Sequence, residues 1–461
     1  MAGRSVHLIG IGGTGLSAIA RVLLESGTTV SGSDQQASPL ALSLQEAGVR
    51  VSIGHRAENV RGADLVIRSS AIPDSNPEVM EAQCLGIPVL KRSEFLGQLL
   101  SGKQAIAVAG THGKTTTTAM IAWTLTALGQ DPSYIIGGVS ANLGANAHAG
   151  RGLAFVIEAD EYDRMFLGLQ PALAVVTNIE HDHPDCYPQP EDFYQAFLEF
   201  SHRLTPQGVL VVCADDAGSL CLAQQCQADG LQVFTYGTGV ADYQAADLSS
   251  QPGAGYSFAA FHQGRWLTKI ALQVPGVHNV RNALAALVVG HRRGLPVKAA
   301  AQALAEYRGT GRRFEIRGDA AGITVIDDYA HHPTEIRATL AAARARYPGQ
   351  ALWAVWQPHT FSRTQTLFSR FASAFEDADH VLVTEVYASR EGALAGQFSS
   401  RQVVEAMSHP DVRYVATFEQ AACVLLAELA RGAVVLVLSA GDADQISTRV
   451  LAALREKEKN Q

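Results

Sequence analysis

The chain has 461 residues, with 36 Lys plus Arg against 44 Asp plus Glu and a net charge of -8, too long for one ordinary hydrophobic core and enough for about three domains. The acidic balance, with no basic run interleaved with aromatics, argues against a nucleic-acid partner. Cys84, Cys186, Cys213, Cys221, Cys226 and Cys423 show no CxxC spacing, so neither a disulfide framework nor a zinc site is expected, and the thiols suit a reducing compartment.

The first element is the apolar stretch Val6 to Leu24. Its glycines, His7 and Arg21 make it a buried strand, a turn and a helix rather than a signal peptide. No other segment offers the roughly eighteen apolar residues of a membrane span, so a cytoplasmic protein without membrane contact is expected. The turn is Gly10-Ile11-Gly12-Gly13-Thr14-Gly15, whose bare backbone can approach a diphosphate at the positive helix end. Alone it is a weak signal. Asp34, about twenty residues on, stands where a dinucleotide fold sets an acid on a ribose hydroxyl.

Further strands are expected at Asp64 to Ile67, Ala105 to Ala109, Ala154 to Ile157, Leu173 to Thr177, Val209 to Cys213, Ile323 to Ile326, Leu352 to Trp356, Val381 to Glu385 and Val434 to Ser439. Aliphatic runs of this kind between helical stretches predict parallel sheets covered by helices, an α/β class. Between Gly237 and Leu272 short alternating strands predict an antiparallel flap. Joints at Ser101-Gly102-Lys103-Gln104 and near Gly318 to Gly322 divide the chain into 1–102, 103–318 and 319–461. The charged tail Arg455 to Lys459 reads as a fraying helix end.

The second loop, Gly110-Thr111-His112-Gly113-Lys114-Thr115-Thr116, joins the strand Ala105 to Ala109 to a helix beginning near Thr117. Its amides can cradle phosphates, Lys114 can neutralise the terminal one and the Thr115 hydroxyl can ligate magnesium. It is a shortened variant, with Val108 where the usual first glycine would fall. Two later strand ends deliver hard metal ligands: Glu158, Asp160, Glu161 and Asp163, then Asn178, Glu180, His181, Asp182 and His183. Asp163 and Asp182 read most simply as helix caps. Asn279 and Asn282, one turn apart on the next helix, read either as a cap and a surface residue or as readers of an adenine edge. Arg312, Arg313, Asp327, Asp328, His331, His332, His359 and Arg363 form a polar set bordering strands, suited to anionic substrates.

Taken in order, Gly10-x-Gly12-Gly13-x-Gly15, Gly110-Thr111-His112-Gly113-Lys114-Thr115, Glu158-Ala159-Asp160-Glu161, Thr177-Asn178-Ile179-Glu180-x-Asp182-His183, His278-Asn279-x-x-Asn282, Gly309-Thr310-Gly311-Arg312-Arg313-Phe314 and Asp327-Asp328-Tyr329-Ala330-His331-His332-Pro333 resemble the motifs of the Mur ligases, from about Val6 to Ala452. The resemblance implies three domains: a Rossmann-like one for a UDP-sugar, a central P-loop ATPase with a parallel sheet and a small antiparallel flap, and a Rossmann-like C-terminal one for an amino acid. It implies ATP and Mg2+ as cofactors and a carboxylate–amine ligation, with UDP-N-acetylmuramate and L-alanine as partners of a monomer or homodimer. Gly110, Thr111, His112, Gly113, Lys114, Thr115 and Thr116 would hold the ATP phosphates, Asn279 and Asn282 the adenine, and Arg313 and Asp328 would reach ATP across the domain interface. Thr115, Glu158 and His183 would bind magnesium. His331, His359 and Arg363 would hold the amino acid, while Gly12, Gly13, Thr14, Gly15, Asp34, His55, Ser69 and Ser70 would meet the sugar nucleotide. Lys114, Glu158, His183 and Arg363 would carry the catalysis.

Three departures accompany the resemblance. Thr360 stands where some relatives carry another arginine, Tyr162 replaces a common serine, and Ser439 stands where a glycine is expected. No lysine occurs between Lys114 and Lys269, so the carbamylated lysine that bridges metals in several relatives is ruled out. A dehydrogenase would explain only the first glycine loop, and a regulatory P-loop ATPase only the second. A ligase joining a tripeptide to the same sugar nucleotide is the nearest rival.

Overall fold

The computed structural model describes residues 3–389, 391–392 and 398–459. Three sheets follow one another along the chain. The first contains β1 (Ser5–Ile9), β2 (Thr29–Asp34), β3 (Arg50–Ile53), β4 (Leu65–Arg68) and β5 (Val89–Lys91), ordered β3-β2-β1-β4-β5 and parallel throughout. The second contains β6 (Gln104–Ala109), β7 (Ser133–Ile135), β8 (Ala147–His148), β9 (Ala154–Glu158), β10 (Leu173–Val176), β11 (Val209–Cys213), β12 (Gln232–Gly237), β13 (Tyr243–Ser250), β14 (Tyr256–His262) and β15 (Arg265–Ala271), ordered β15-β14-β13-β12-β11-β10-β6-β9-β7-β8. The third contains β16 (Glu315–Ala320), β17 (Ile323–Asp328), β18 (Leu352–Trp356), β19 (His380–Val383), β20 (Val412–Tyr414) and β21 (Val434–Leu438), ordered β16-β17-β21-β18-β19-β20.

The class is α/β with three domains, but only the first sheet is purely parallel. In the second, β13 to β15 form the expected antiparallel flap, and β8 adds an antiparallel edge strand. In the third, β16 pairs antiparallel with β17. That hairpin turns at Ala321-Gly322, where both residues take positive φ, so the chain enters the third sheet at Glu315 and a joint at Gly318 would cut a strand. We place the start of the third domain ahead of Glu315.

Buried aliphatic runs account for the central strands: β6, β10 and β21 are buried along nearly their whole length. The helices Lys114–Ala127 and Val277–Arg292 cover one face of the second sheet, where Met120, Leu125, Leu284 and Leu287 join one core. A second core runs from the first sheet through Phe95 and Leu96 to Phe155 and Phe166 of the second, so the first two domains share buried apolar surface. The tail is the end of the helix Asp444–Lys459, whose earlier turns pack Ile446, Val450 and Leu454 on the third sheet. The six cysteines are free. Among the described residues no helix is long and apolar enough to cross a membrane.

The strand orders set the positions of the loops. β1 lies between β2 and β4, and β6 between β10 and β9, so the order reverses beside each glycine loop and a crevice opens at the carboxyl ends of the strands. The acids after β9 and the acid–histidine run after β10 therefore flank the second loop on either side.

Candidate active site

Glycine is required at two points of the second loop. Gly110 has φ 135 and Gly113 φ 81; a side chain at 110 would strike the Thr177 hydroxyl, and one at 113 would come within 2.8 Å of Asn282 Oδ1. Gly113→Ala is expected to cost about 1–2 kcal/mol in backbone strain and to displace the loop, read as a lowered Tm and a KM for ATP raised more than tenfold. The helix begins at Lys114, ahead of the expected Thr117. Lys114 Nζ donates to Gly110 O at 2.6 Å and Thr111 O at 3.2 Å, and to the Glu161 carboxylate at 2.9 Å. Burial would lower this ammonium, but the charges of Glu161, Asp160 and Glu158 outweigh it and raise it above the usual lysine value. Glu161, read from the sequence as one of the metal-ligating acids, is thus the direct partner of Lys114.

Thr115 Oγ1 donates to Glu158 Oε1 at 3.0 Å, and the Gly137 amide donates to Glu158 Oε2 at 2.6 Å. Burial pushes the Glu158 carboxyl above its ordinary value, because a carboxylate enclosed in protein loses its hydration, and the charges of Lys114 and Arg313 offset this only in part. A hydroxyl and a carboxylate side by side are hard oxygen donors, which fit a magnesium ion.

Behind the loop lies a chamber of about 310 Å3, lined among others by His112, Thr116, Asn279, Asn282, Arg313 and Asp328. Asn279 and Asn282 are each 6% exposed and the helix is capped by Gly276, so the cap-and-surface alternative does not hold. Asn279 Nδ2 donates to Pro275 O at 2.7 Å, Asn282 Nδ2 to Asn279 Oδ1 at 3.2 Å, and Thr117 Oγ1 to Asn282 Oδ1 at 3.1 Å. Asp328 accepts from the amides of Phe314 at 2.7 Å and Ala330 at 2.8 Å, while burial raises it to about 6. Arg313 lies 4.9 Å over the Tyr329 ring. Asp215, Tyr236 and Arg281 also line this chamber; they sit on a strand end, a strand and a helix with no motif to mark them.

A second chamber, of about 220 Å3, brings Lys114, Thr115, Glu158 and His183 of the central domain together with His331, His359 and Arg363 of the third. His331 Nδ1 donates to Tyr329 O at 2.9 Å, and burial lowers the ring to about 3. Asp182 corrects the cap reading. No helix begins beside it; its two oxygens instead accept from Arg363 at 2.8 and 3.2 Å. Burial would raise its carboxyl, but Arg363 and His183 hold it well below the usual range. Asp163 is likewise no cap: it lies inside the short helix Tyr162–Gly168 with φ 54.

His112 spans the same interface. Its Nε2 lies 3.0 Å from Glu180 and its Nδ1 3.3 Å from Glu335. Burial opposes its charge, yet the two carboxylates lift it to about 9. Glu335 also closes a capping box with His332 at the start of the helix Pro333–Arg346. The signature Pro333-Thr334-Glu335 after a histidine could have revealed it as a cap, though not as a partner of His112.

In the first domain Gly12 N donates to Asp34 Oδ2 at 2.9 Å, and Ser69 follows β4 directly beside Gly10, its amide 3.1 Å from Ile9 O. Ser70 continues that turn. His55 Nδ1 lies 3.1 Å from Ser33 Oγ and 3.3 Å from Glu78 Oε2. Glu78 is fully buried, yet burial is overcome and the carboxyl lowered to about 2 by His7 nearby, 3.8 Å away, and by hydrogen bonds from Ser33 and Asn59. Thr14 and Gly15 open onto a passage of about 130 Å3 that also touches Arg92, Glu158 and Asp160. Glu158 and Asp160 line the second chamber too, so the passage leads from the first glycine loop toward Lys114. Gly12, Gly13, Asp34, His55, Ser69 and Ser70 do not line these three spaces. Arg92, which donates to Asp160 Oδ2 at 3.4 Å, carried no sequence signal.

Three family profiles match successive parts of the chain: "Mur ligase family, catalytic domain" over residues 5–104, "Mur ligase middle domain" over 108–290 and "Mur ligase, glutamate ligase domain" over 312–441. A UDP-N-acetylmuramate–L-alanine ligase of Acidithiobacillus ferrooxidans is 46% identical over 447 residues, 95% of each chain. Among solved structures, the UDP-N-acetylmuramate-alanine ligase of Thermotoga maritima superimposes with a TM-score of 0.83 at 29% identity, covering 99% of this chain and 100% of that one. A murein peptide ligase of Psychrobacter arcticus gives 0.71 at 27% identity, covering 98% and 99%.

Proposed function

Because this chain belongs to the Mur ligase family across all three of its domains, which uses ATP, we propose that it joins L-alanine to the lactyl carboxylate of UDP-N-acetylmuramate in peptidoglycan precursor synthesis. The observation that carries this reading is the second chamber, where a phosphate-loop lysine and a buried acid of one domain face two histidines and an arginine of another. Relatives 46% identical along 95% of their length support the choice of substrates.

A carboxylate does not acylate an amine at neutral pH, because its oxygen leaves poorly. The lactyl carboxylate therefore takes the γ-phosphoryl group of ATP, and alanine's neutral amine displaces phosphate from the resulting acyl phosphate. Lys114, moving from Glu161 to the phosphates, offsets the repulsion between two anions and the charge that grows on the transferring group. Thr115, Glu158 and His183 would hold magnesium, which supplies charge neutralisation at the phosphates. Asn279 and Asn282 hold the adenine edge, and Arg313 and Asp328 reach the nucleotide from the interface. Gly12, Gly13, Thr14, Gly15 and Asp34 seat the diphosphate and ribose, with His55, Ser69 and Ser70 beside them. His331 and His359 border the amine, and Arg363 anchors its carboxylate.

The test is phosphate release from ATP with magnesium and UDP-N-acetylmuramate, comparing L-alanine with the tripeptide L-alanyl-γ-D-glutamyl-meso-diaminopimelate. Release with alanine is expected. Release with the tripeptide alone would assign the chain to muropeptide reuse, and none with either would overturn the reading.

A pH effect follows from Asp328. Its folded value of about 6 lies above the unfolded carboxylate value, so the native state binds the extra proton between about 4 and 6. Stability contributed by this group is therefore present at low pH and declines as pH rises through that window. Nucleotide contact runs the other way, since only the carboxylate accepts from a ribose hydroxyl without offering a proton. The KM for ATP should rise as pH falls below about 6, and Asp328→Asn should remove most of that dependence; an unchanged profile would take Asp328 out of the nucleotide site.

A further inference from the structure

Arg363 lies in the helix Phe361–Thr366 of the third domain, while Asp182 follows β10 of the second, 181 residues away in sequence. The guanidinium offers Nε and one terminal nitrogen to the two Asp182 oxygens, at 2.8 and 3.2 Å, and both side chains are 5% exposed. A pair of this kind occupies one edge of the planar fork and leaves the edge made by the two terminal nitrogens for another partner. That edge faces His359 Nδ1, 3.0 Å from one terminal nitrogen, and His183 Nδ1, 3.5 Å from the other. Both rings line the chamber that holds Lys114 and Glu158.

We propose that Asp182 is a positioning residue for the amino-acid substrate: by gripping the side of Arg363 across the domain interface, it aims the edge made by the two terminal nitrogens, which His359 and His183 border, at the carboxylate of L-alanine. A buried guanidinium without a partner is costly, so Arg363 takes this position only with Asp182 against it. The alanine seat is then complete only when the third domain rests on the second. Holding the fork still before substrate arrives also spares the ordering of a long side chain on binding. The proposal rests on the reading of Arg363 as the carboxylate anchor.

The purified full-length enzyme is assayed with UDP-N-acetylmuramate, ATP and magnesium while L-alanine is varied. Asp182→Asn is expected to raise the KM for alanine at least tenfold, with the KM values for ATP and the sugar nucleotide within twofold of wild type. Asp182→Glu, which keeps the charge but shifts the fork, should raise it severalfold and serves alone if the asparagine variant does not fold. A lowered KM for alanine would mean that Asp182 competes for the seat, and an unchanged one, or an equal rise in all three, that it does not aim Arg363; each overturns the proposal. Arg363→Ala separates the premise from the inference. If it leaves the KM for alanine unchanged, the anchor reading falls; if it raises that KM and the Asp182 variants do not, only the role of Asp182 falls.

Discussion

Lys114→Ala is expected to lower kcat by a factor on the order of 10³, the scale on which a single charge-stabilising donor acts in a water-poor site. Lys114 is held by two loop carbonyls and by Glu161, partners its ammonium exchanges for phosphate oxygens when the nucleotide binds. Removing it leaves Glu161, a fully buried acid, without its nearest cation, and a fall in Tm is part of the expected result. Lys114→Ala/Glu161→Gln removes both charges and isolates the catalytic effect. Its turnover should stay as low as that of the single variant while its Tm recovers. Near-normal phosphate release by either variant would remove Lys114 from the reaction.

Glu158→Gln should be almost as damaging to turnover, with a loss of about 10²–10³, and opposite in its effect on stability. The amide keeps the shape, can accept from Gly137 N through its oxygen and donate to the Thr115 hydroxyl through its nitrogen, and sheds a charge that burial disfavours. Tm should hold or rise, as for other active-site charges held at a cost to stability. The magnesium concentration giving half-maximal activity should climb with it. A falling Tm with an unchanged magnesium requirement would make Glu158 a structural residue.

Much of this architecture is legible along the chain. The strand, glycine turn and helix at Val6 to Leu24 and at Ala105 to Thr116 are local objects, because an aliphatic run followed by glycines at positive φ and a helix start contains its own instructions. The same holds for the flap, whose alternation and turns sit within a single stretch of chain. Edge strands such as β3, β5, β8 and β20, and the three-residue β7 beside β8, escape such reading: they are short, half-buried or defined only by the neighbour they join, and β16 pairs across a hairpin whose signal falls at the expected joint.

The residues of the site divide in the same way. Lys114, Thr115, Glu158 and His183 stand in motifs whose chemistry can be read from residue type and spacing, whereas the roles of Asn279, Asn282 and Arg363 came with the family resemblance. Their partners could not be read in either way. Glu161 beneath Lys114, Glu335 against His112, Arg92 beside Gly15 and Asp182 against Arg363 depend on which strand ends lie side by side and on how one domain rests on another. Sequence alone determined which donors and acceptors this protein possesses and on which loops they lie, because backbone preference and motif spacing act over a few residues. Tertiary structure alone decided which charges face each other, since a buried charge is tolerated only beside its complement and that complement, as with Asp182 and Arg363, lies 181 residues along the chain.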